Sequence, residues 1–97
     1  MQKTILDIQK LKKTAHKLRT ITHPQRIEII KMLDKNTEMN VSDIYNKLQI
    51  TQPVASHHLI VLKLCGILLS KRVGKNTFYS VNKQFLDELI DSVNKCV

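Results

Sequence analysis

The sequence predicts a mainly α-helical chain with one small β-hairpin. The residues from Thr51 to Gly66 carry both the start and the stop signals of a helix, and a glycine-containing turn follows between two strand-like segments. Apolar residues recur every three or four positions through most of the remaining chain, which is typical of amphipathic helices. Helix, glycine, strand, basic turn and strand, in that order, indicate a winged helix-turn-helix with four helices, a β-wing and a C-terminal helix.

Residues 3–19 are predicted to form an amphipathic helix. Its apolar stripe consists of Ile5, Ile8, Leu11, Ala15 and Leu18, and its lysines lie on other faces. A basic amphipathic helix can bind a membrane surface, but this stripe contains no aromatic residue. The stripe is more typical of a core or of a dimer interface.

The second and third helices have recognisable beginnings. The second starts at Pro24, because proline suits a first helical position, and extends to about Asp34. The third has Asn40 as its N-cap and Asp43 three residues later, an arrangement similar to a capping box, and continues to Leu48.

The fourth helix is predicted from Gln52 to Cys65. The Thr51 hydroxyl could accept a hydrogen bond from a free N–H at the helix start, and Gly66 is a favourable stop. Its apolar face contains Ala55, His58, Leu59 and Leu62. The opposite face contains Gln52, Pro53, Ser56, His57, Ile60 and Lys63. With the third helix it forms a predicted helix-turn-helix over residues 41–66.

The wing is predicted over residues 67–81. Its strands are Ile67–Val73 and Thr77–Val81, which are rich in β-branched and aromatic residues, with Gly74-Lys75-Asn76 as the turn between them. Met39–Val41 could add a short third strand. Arg72 and Lys75 are then at or near the wing tip, where they could reach phosphates or a minor groove.

The C-terminal helix is predicted from Lys83 to Asn94. Together with the N-terminal stripe, its apolar face exceeds what one domain of 97 residues can easily bury. A symmetric homodimer through residues 1–20 and 83–97 would bury both faces. The predicted interface residues are Ile5, Ile8, Leu11, Phe85, Leu86, Leu89, Ile90 and Val93.

The charge of the chain indicates a polyanionic partner. There are 16 Lys and Arg residues against 8 Asp and Glu residues, a net charge of +8. No acidic residue occurs between Asp43 and Asp87, so the charged residues of the predicted helix-turn-helix and wing are almost all positive. Nucleic acid fits this distribution, while an anionic membrane surface or a generic basic surface would also carry such a charge.

Four segments together resemble one protein family. TQPVASHHL at Thr51 to Leu59 resembles the recognition helix of the ArsR/SmtB family of small bacterial winged-helix repressors. HPQRIEII at 23–30, LKLCGIL at 62–68 and RVGKNTFYSV at 72–81 resemble the family's second helix, helix exit and wing. The resemblance implies a single DNA-binding domain over residues 1–97 whose terminal helices pair across a two-fold axis.

The candidate DNA-contacting residues fall into two groups. Gln52 and Ser56 are predicted to read base edges, since glutamine can pair bidentately with adenine and serine can pair with several bases. Others are predicted to contact the DNA backbone or to lie against the groove. The full set is Ser42, Thr51, Gln52, Pro53, Ser56, His57, Lys63, Arg72, Lys75 and Asn76. The alternative interpretation is an ordinary solvated helix face.

No metal or other cofactor is expected. His57 and His58 are adjacent on a helix and point about 100° apart, so they do not converge on one ion. His58 is interpreted as a core or interhelical hydrogen-bonded histidine, because its face is otherwise apolar. The family resemblance places Asn40 and Ser42 where arsenic and cadmium sensors carry cysteines. In the family's zinc sensors, aspartate, histidine and glutamate line the C-terminal helix. Here that helix offers Asp87, Glu88 and Asp91 but no histidine.

The cysteines do not indicate a disulfide framework. Cys65 ends the recognition helix, where a buried filler is expected, and Cys96 is next to the last residue. A redox switch that uses Cys65 or Cys96 is the alternative.

A dimeric repressor that binds an imperfect inverted repeat in double-stranded DNA is the favoured function. Nothing resembles a signal peptide, and no apolar run approaches the roughly 20 residues that span a bilayer, so a cytoplasmic protein is expected. The alternative is a winged-helix module for protein interaction or nucleoid organisation, with weak DNA specificity. An enzyme is not expected, because the sequence has no nucleophile elbow and no phosphate-binding glycine loop.

Overall fold

Five helices and a three-stranded antiparallel sheet make up the fold. The computed structural model describes the backbone of residues 5–96 and the side chains of residues 8–95. The elements are α1 (Ile5–Ile21), α2 (Pro24–Lys35), β1 (Met39–Asn40), α3 (Val41–Leu48), α4 (Gln52–Cys65), β2 (Leu68–Val73), β3 (Asn76–Val81) and α5 (Lys83–Cys96). The predicted mainly α fold with a β-hairpin is confirmed, including the short third strand.

The helix starts show which capping predictions were right. Asn40 is the N-cap of α3, and its Oδ1 accepts a hydrogen bond from the backbone N–H of Asp43 at 2.8 Å, as predicted. Thr51 is the N-cap residue of α4, but within the described chain its side chain makes no capping hydrogen bond, so that prediction was wrong. An unpredicted cap occurs on α2, where Nδ1 of His23 accepts from the backbone N–H of Gln25 at 3.1 Å.

The wing is the hairpin β2–β3, and β1 pairs with the other edge of β3. Its turn has two residues rather than the predicted three, because Val73 pairs with Asn76 and Asn76 therefore begins β3. Gly74 has φ +61°, at the first central position of a two-residue loop, where glycine is favoured. Because β2 begins at Leu68, the predicted strand start at Ile67 was one residue early.

Ile67 is not part of β2, because its backbone N–H bonds to the end of α4. Its backbone N–H donates to the carbonyl of Leu62 at 3.2 Å, and the N–H of Gly66 donates to the carbonyl of Lys63 at 3.0 Å. This pair of bonds is the Schellman motif, which satisfies carbonyls left free at a helix end. The side chain of Ile67 remains fully buried, so the residue joins the core while its backbone closes the helix.

The hydrophobic core lies between the inner face of α4 and the elements around it. On α4 the buried residues are Ala55, His58, Leu59 and Leu62, which are the four predicted for the inner face. The main core cluster comprises Ile29, Leu33, Met39, Ile44, Leu59, Leu62, Ile67, Leu68, Tyr79 and Val81. The second to fourth helices and all three strands therefore share one core.

Gly66 has no room for a side chain. Its φ is +103°, and a Cβ built on its backbone would lie 3.0 Å from Cε2 of Phe85. The ring of Phe85 also lies beneath the ammonium group of Lys17, whose Nζ is 4.8 Å from the ring centroid. The end of α4 is thus in close contact with α5, and α5 with α1.

We expect Gly66→Ala to reduce the free energy of unfolding by more than the roughly 1–2 kcal/mol that a left-handed conformation costs a non-glycine residue, because the Phe85 ring must also move. Gly74→Ala is the matched control, since among the described residues no heavy atom lies within 4 Å of a Cβ at Gly74. Urea unfolding of both variants measures the difference. Equal losses would show that the contact with Phe85 adds nothing.

Candidate nucleic-acid interface

The outward side of α4 holds half of the predicted DNA-contacting side chains. Gln52 and Pro53 are exposed in the first turn, and His57 and Lys63 are exposed further along, while Ser56 is half-buried. Burial of the opposite face fixes the rotation of the helix, so these residues share one accessible surface. Its first two turns present amide and hydroxyl groups, which can donate and accept hydrogen bonds at base edges.

The turn between α3 and α4 closes the end of α3 and leads into the start of α4. Gln49 has φ +54°, a left-handed conformation, and its N–H donates to the carbonyl of Asn46 at 3.3 Å. The N–H of Ile50 donates to the carbonyl of Tyr45 at 3.2 Å, which completes the closure of α3. Ser42 lies exposed in the first turn of α3 and Thr51 lies exposed at the N-cap of α4. Free N–H groups at such helix starts bind phosphate oxygens well.

The wing supplies exposed cations. Arg72 and Lys75 are exposed near the turn, and Asn76 is exposed beside them. The Arg72 Nε donates a long hydrogen bond of 3.4 Å to the carbonyl of Gly74, which leaves most of its donors accessible. Lys71 differs, because its ammonium group lies 3.4 Å from the carboxylate of Glu38 and is partly neutralised.

A partly buried hydrogen-bond network holds α4 against α2 and the end of α1. The guanidinium of Arg26 donates from Nη1 to the carbonyl of Thr20 at 2.8 Å and from Nε to Nδ1 of His58 at 3.1 Å. His58 Nε2 lies 2.7 Å from Oε1 of Gln25. Arginine can only donate, so Nδ1 of His58 must accept, and Nε2 therefore carries the hydrogen and donates to Gln25. The predicted interhelical role of His58 is confirmed.

The network keeps His58 uncharged. Burial lowers the pKa of His58 below its ordinary value, and the nearby Arg26, His23 and His57 lower it further. His58 is only 5% exposed, and its ring centroid lies 4.7 Å from that of His23. A protonated ring would lose the hydrogen bond that Nδ1 accepts from Arg26, so the folded structure favours the neutral form of His58.

The histidines and the cysteine whose side chains the structure describes do not form an arrangement typical of a metal site. Across the described residues, no group of three or more His, Cys, Asp or Glu side chains could hold an ion. Cys65 is a half-buried free thiol whose pKa is raised by burial, although Lys17 and Arg26 act in the opposite direction. A raised pKa leaves less of the reactive thiolate at neutral pH. The side chain of Cys96 lies outside the described residues.

The predicted interface residues separate into two classes. Ile8 and Ile90 are 46% and 50% exposed, and Leu11 and Val93 are half-buried. In contrast, three residues of α5 already pack within the chain: Leu89 is buried, and Phe85 and Leu86 contact the core cluster. The side chain of Ile5 lies outside the described residues.

Three exposed apolar residues on α4, namely Val54, Ile60 and Leu64, were not predicted as site residues. Ile60 is 52% exposed and Leu64 is 83% exposed, and Ile60 lies one turn beyond Ser56. Helical periodicity placed Ile60 on the outer face, but an isolated isoleucine on a polar face carries no functional signal in sequence. Their exposure becomes informative only once the opposite face is known to be buried.

Comparison with known proteins gives consistent matches. The family described as "Bacterial regulatory protein, arsR family" matches residues 23–70. An uncharacterised HTH-type transcriptional regulator from Methanocaldococcus jannaschii, MJ1325, is 33% identical over 91% of this chain and 99% of its own length. The transcriptional repressor PagR of Bacillus anthracis is 31% identical over 92% of this chain and 89% of its own length.

Solved structures have the same fold. The crystal structure of PagR superposes with a TM-score of 0.71 and 30% identity, covering 89% of this chain and 98% of that chain. The homodimeric winged helix-turn-helix domain of Mb0332 from Mycobacterium bovis gives a TM-score of 0.78 at 20% identity, covering 97% of this chain and 86% of that chain. At that identity the second match shows the fold alone.

Separately, none of the described helices has the length and apolarity needed to cross a membrane.

The His58 network predicts a pH-dependent stability. Because the folded-state pKa of His58 is depressed, its contribution is complete above the unfolded value of about 6.5 and is lost as pH falls toward the folded value. We expect His58→Gln to flatten this dependence and to cost about 1–3 kcal/mol, since Gln25 and Arg26 lose buried partners.

Urea unfolding between about pH 5 and 8 measures the effect. His57→Gln is the control, because His57 is exposed on the same helix, makes none of the hydrogen bonds of the network, and is the smallest of the causes that lower the pKa of His58. Parallel pH profiles for the wild type and His58→Gln would contradict the assignment.

Proposed function

The chain belongs to the arsR family of bacterial regulatory proteins, and on this premise we propose that it is a dimeric, sequence-specific transcriptional repressor of duplex DNA. Its relatives are transcription regulators, a class that works by binding DNA rather than by catalysis. The observation that carries the proposal is the uncharged tip of α4, held in one orientation by a buried face and flanked by exposed cations on the wing.

Each part of this surface has a proposed role. Gln52 and Ser56 read base edges in the major groove, with Pro53 against the groove wall. His57 and Lys63 contact the DNA backbone. The starts of α3 and α4, at Ser42 and Thr51, bind phosphates, and the wing residues Arg72, Lys75 and Asn76 reach the backbone or an adjacent minor groove. Phosphate contacts set position and affinity, whereas the base contacts set specificity.

The shape of the chain supports a dimer. Its radius of gyration is 15.1 Å and its longest extent is 51 Å. A compact chain of this length would have a radius of about 12.5 Å, so much of α1 or α5 extends beyond the core. Exposed Ile8 and Ile90 on these helices fit a contact with a second copy. Two recognition helices related by a two-fold axis would occupy half-sites about 34–36 Å apart, in an imperfect inverted repeat.

We propose that the protein does not sense metals through the positions used by its metal-responsive relatives. The side-chain oxygen of Asn40 is engaged in capping α3, and Ser42 offers only a hydroxyl group. Helix α5 carries carboxylates but no histidine between Lys83 and Cys96. Of these, Asp91 pairs with Lys95 at 3.0 Å, as expected of a solvated helix face.

A second candidate function is a protein-interaction or nucleoid-organising module. The exposed apolar residues Ile60 and Leu64 favour it, because such side chains are also common in protein interfaces. Competitor DNA separates the two functions. Specific operator binding survives a large excess of nonspecific duplex, whereas architectural binding does not.

The decisive experiment is selection of bound sites from random duplex DNA. Enrichment of an inverted repeat would support the repressor, and recovery of unenriched sequence would support the second candidate. Repeating the selection with added zinc, oxidant or reductant tests for an inducer. A response to oxidant would restore a role for Cys65 or Cys96.

We expect Gln52→Ala to weaken binding to the selected site by about 1–3 kcal/mol and to relax its sequence preference, because a base contact is lost. Lys75→Ala is the comparison. It should weaken binding to all duplexes alike and reduce the salt dependence by about one counterion per protomer. Fluorescence anisotropy on specific and random duplexes at several salt concentrations measures both. An unchanged affinity of Gln52→Ala for the selected site would refute the assigned reading face.

We expect Ile90→Asp to shift the protein from dimer to monomer and to weaken operator binding, because a buried carboxylate at the interface would have no partner. Gln84→Asp is the matched control, since it adds the same charge on the hydrophilic side of α5, where Gln84 contacts Glu88 at 3.3 Å. Sedimentation equilibrium gives the oligomeric state. A dimer of Ile90→Asp as stable as wild type would exclude this interface.

A further inference from the structure

The outermost ridge of α4 is largely apolar. At 100° per residue, Pro53, His57, Ile60 and Leu64 lie opposite the buried face of the helix. Ile60 and Leu64 remain 52% and 83% exposed. Apolar residues thus occur on two opposite sides of the same helix, a pattern typical of a helix that is covered on both sides.

The surroundings of this ridge do not suit an ordinary solvated surface. The chain from residue 44 to residue 86 contains no acidic residue, and Lys63, Arg72 and Lys75 are exposed on α4 and the wing. Basic surface with an apolar strip at its centre is complementary to a polyanion that also presents apolar groups. Duplex DNA is such a polyanion, because the major groove exposes the 5-methyl group of every thymine.

Position along the helix distinguishes the two exposed residues. With a rise of 1.5 Å per residue, Ile60 lies about 12 Å from the start of α4 and Leu64 about 18 Å. The major groove is about 8.5 Å deep, and side chains on a helix point back toward its N-terminus, so a helix that enters by its N-terminal end keeps Ile60 much nearer to base edges than Leu64. Ile60 also follows Ser56 by one turn, on the side of the helix assigned to base reading.

We propose that Ile60 is a specificity-determining residue that packs against thymine methyl groups in each operator half-site. The inference rests on the proposed function and adds a base preference to it. Amide and hydroxyl groups at the tip would read hydrogen-bond patterns, and Ile60 would read the apolar group that distinguishes thymine from cytosine at the same edge. The operator then requires thymine at one or two fixed positions in each half-site.

Replacing thymine by deoxyuridine tests the contact directly, because uracil lacks the 5-methyl group and keeps the same hydrogen-bonding groups. A site is first selected from random duplex, and each of its thymines is then replaced singly by deoxyuridine. For the wild type we expect one or two replacements per half-site to weaken binding about three- to fivefold, the loss expected for one methyl group. In Ile60→Ala the same replacements should have no effect.

Two variants and one further measurement make the outcomes distinct. Leu64→Ala should retain the wild-type sensitivity to deoxyuridine, and Ile60→Val should retain most of it. The proposal would be overturned if no deoxyuridine replacement weakened binding of the wild type, or if the replacements weakened binding of Ile60→Ala as much as that of the wild type. Either result would leave DNA binding itself intact. A change of oligomeric state in Ile60→Ala, with an unchanged deoxyuridine penalty, would assign the ridge to a protein contact and also overturn it. Failure of the wild type to bind any duplex would instead refute the proposed function, and this inference with it.

Discussion

The rotation of α4 is the constraint on which the site depends. One side of this helix is the centre of the core, where Leu59 and Leu62 are fully buried, and the other side is the proposed contact with DNA. A helix of 14 residues cannot change one face without moving the other. Packing of the inner face therefore determines which side chains meet a groove. Apolar contacts alone permit small rotations of the helix. The hydrogen bonds of His58 restrict these rotations, because Nδ1 must stay within bonding distance of Arg26 and Nε2 within bonding distance of Gln25.

That polar network also explains why a histidine is tolerated in the core. Both ring nitrogens have partners, and among the described side chains no buried nitrogen or oxygen atom lacks one. Arg26 reaches the carbonyl of Thr20 at the end of α1, so three helices meet at one cluster. The cluster therefore connects the end of α1 to α2 and α4. Similarly, Phe85 links the end of α4 at Gly66 to α5 and, through Lys17, to α1.

In the proposed surface, different residues provide the affinity for DNA and the specificity for its sequence. Cations are placed on the wing and at the far end of α4, where they can meet phosphates of any sequence. The tip itself is uncharged, with amide, hydroxyl and apolar groups of the kinds that can distinguish one base from another. A charged tip would bind every duplex strongly and reduce this discrimination. Lys71 is partly neutralised by its exposed ion pair with Glu38, so it contributes less to this positive surface than a free lysine does.

Local sequence signals determined most of the secondary structure and the inner face of α4. Proline at the start of α2, Asn40 before α3 and Gly66 after α4 act within a few residues, so they can be recognised without tertiary information. The burial of Ala55, His58, Leu59 and Leu62 followed from helical periodicity alone. The outer face, including Ile60, was also predicted from periodicity, but a single isoleucine on a polar face gives no functional signal in sequence.

Tertiary structure decided the features that depend on residues distant in the chain. The partners of His58 lie 32 and 33 residues away, and the contact between Gly66 and Phe85 joins two helices across the wing. Local patterns also assigned Phe85, Leu86 and Leu89 to a surface between subunits, whereas packing within the chain already covers much of them. The physical reason is the range of the signals: propensity and capping act over one turn of a helix, while burial and hydrogen-bond partners exist only after the chain has folded.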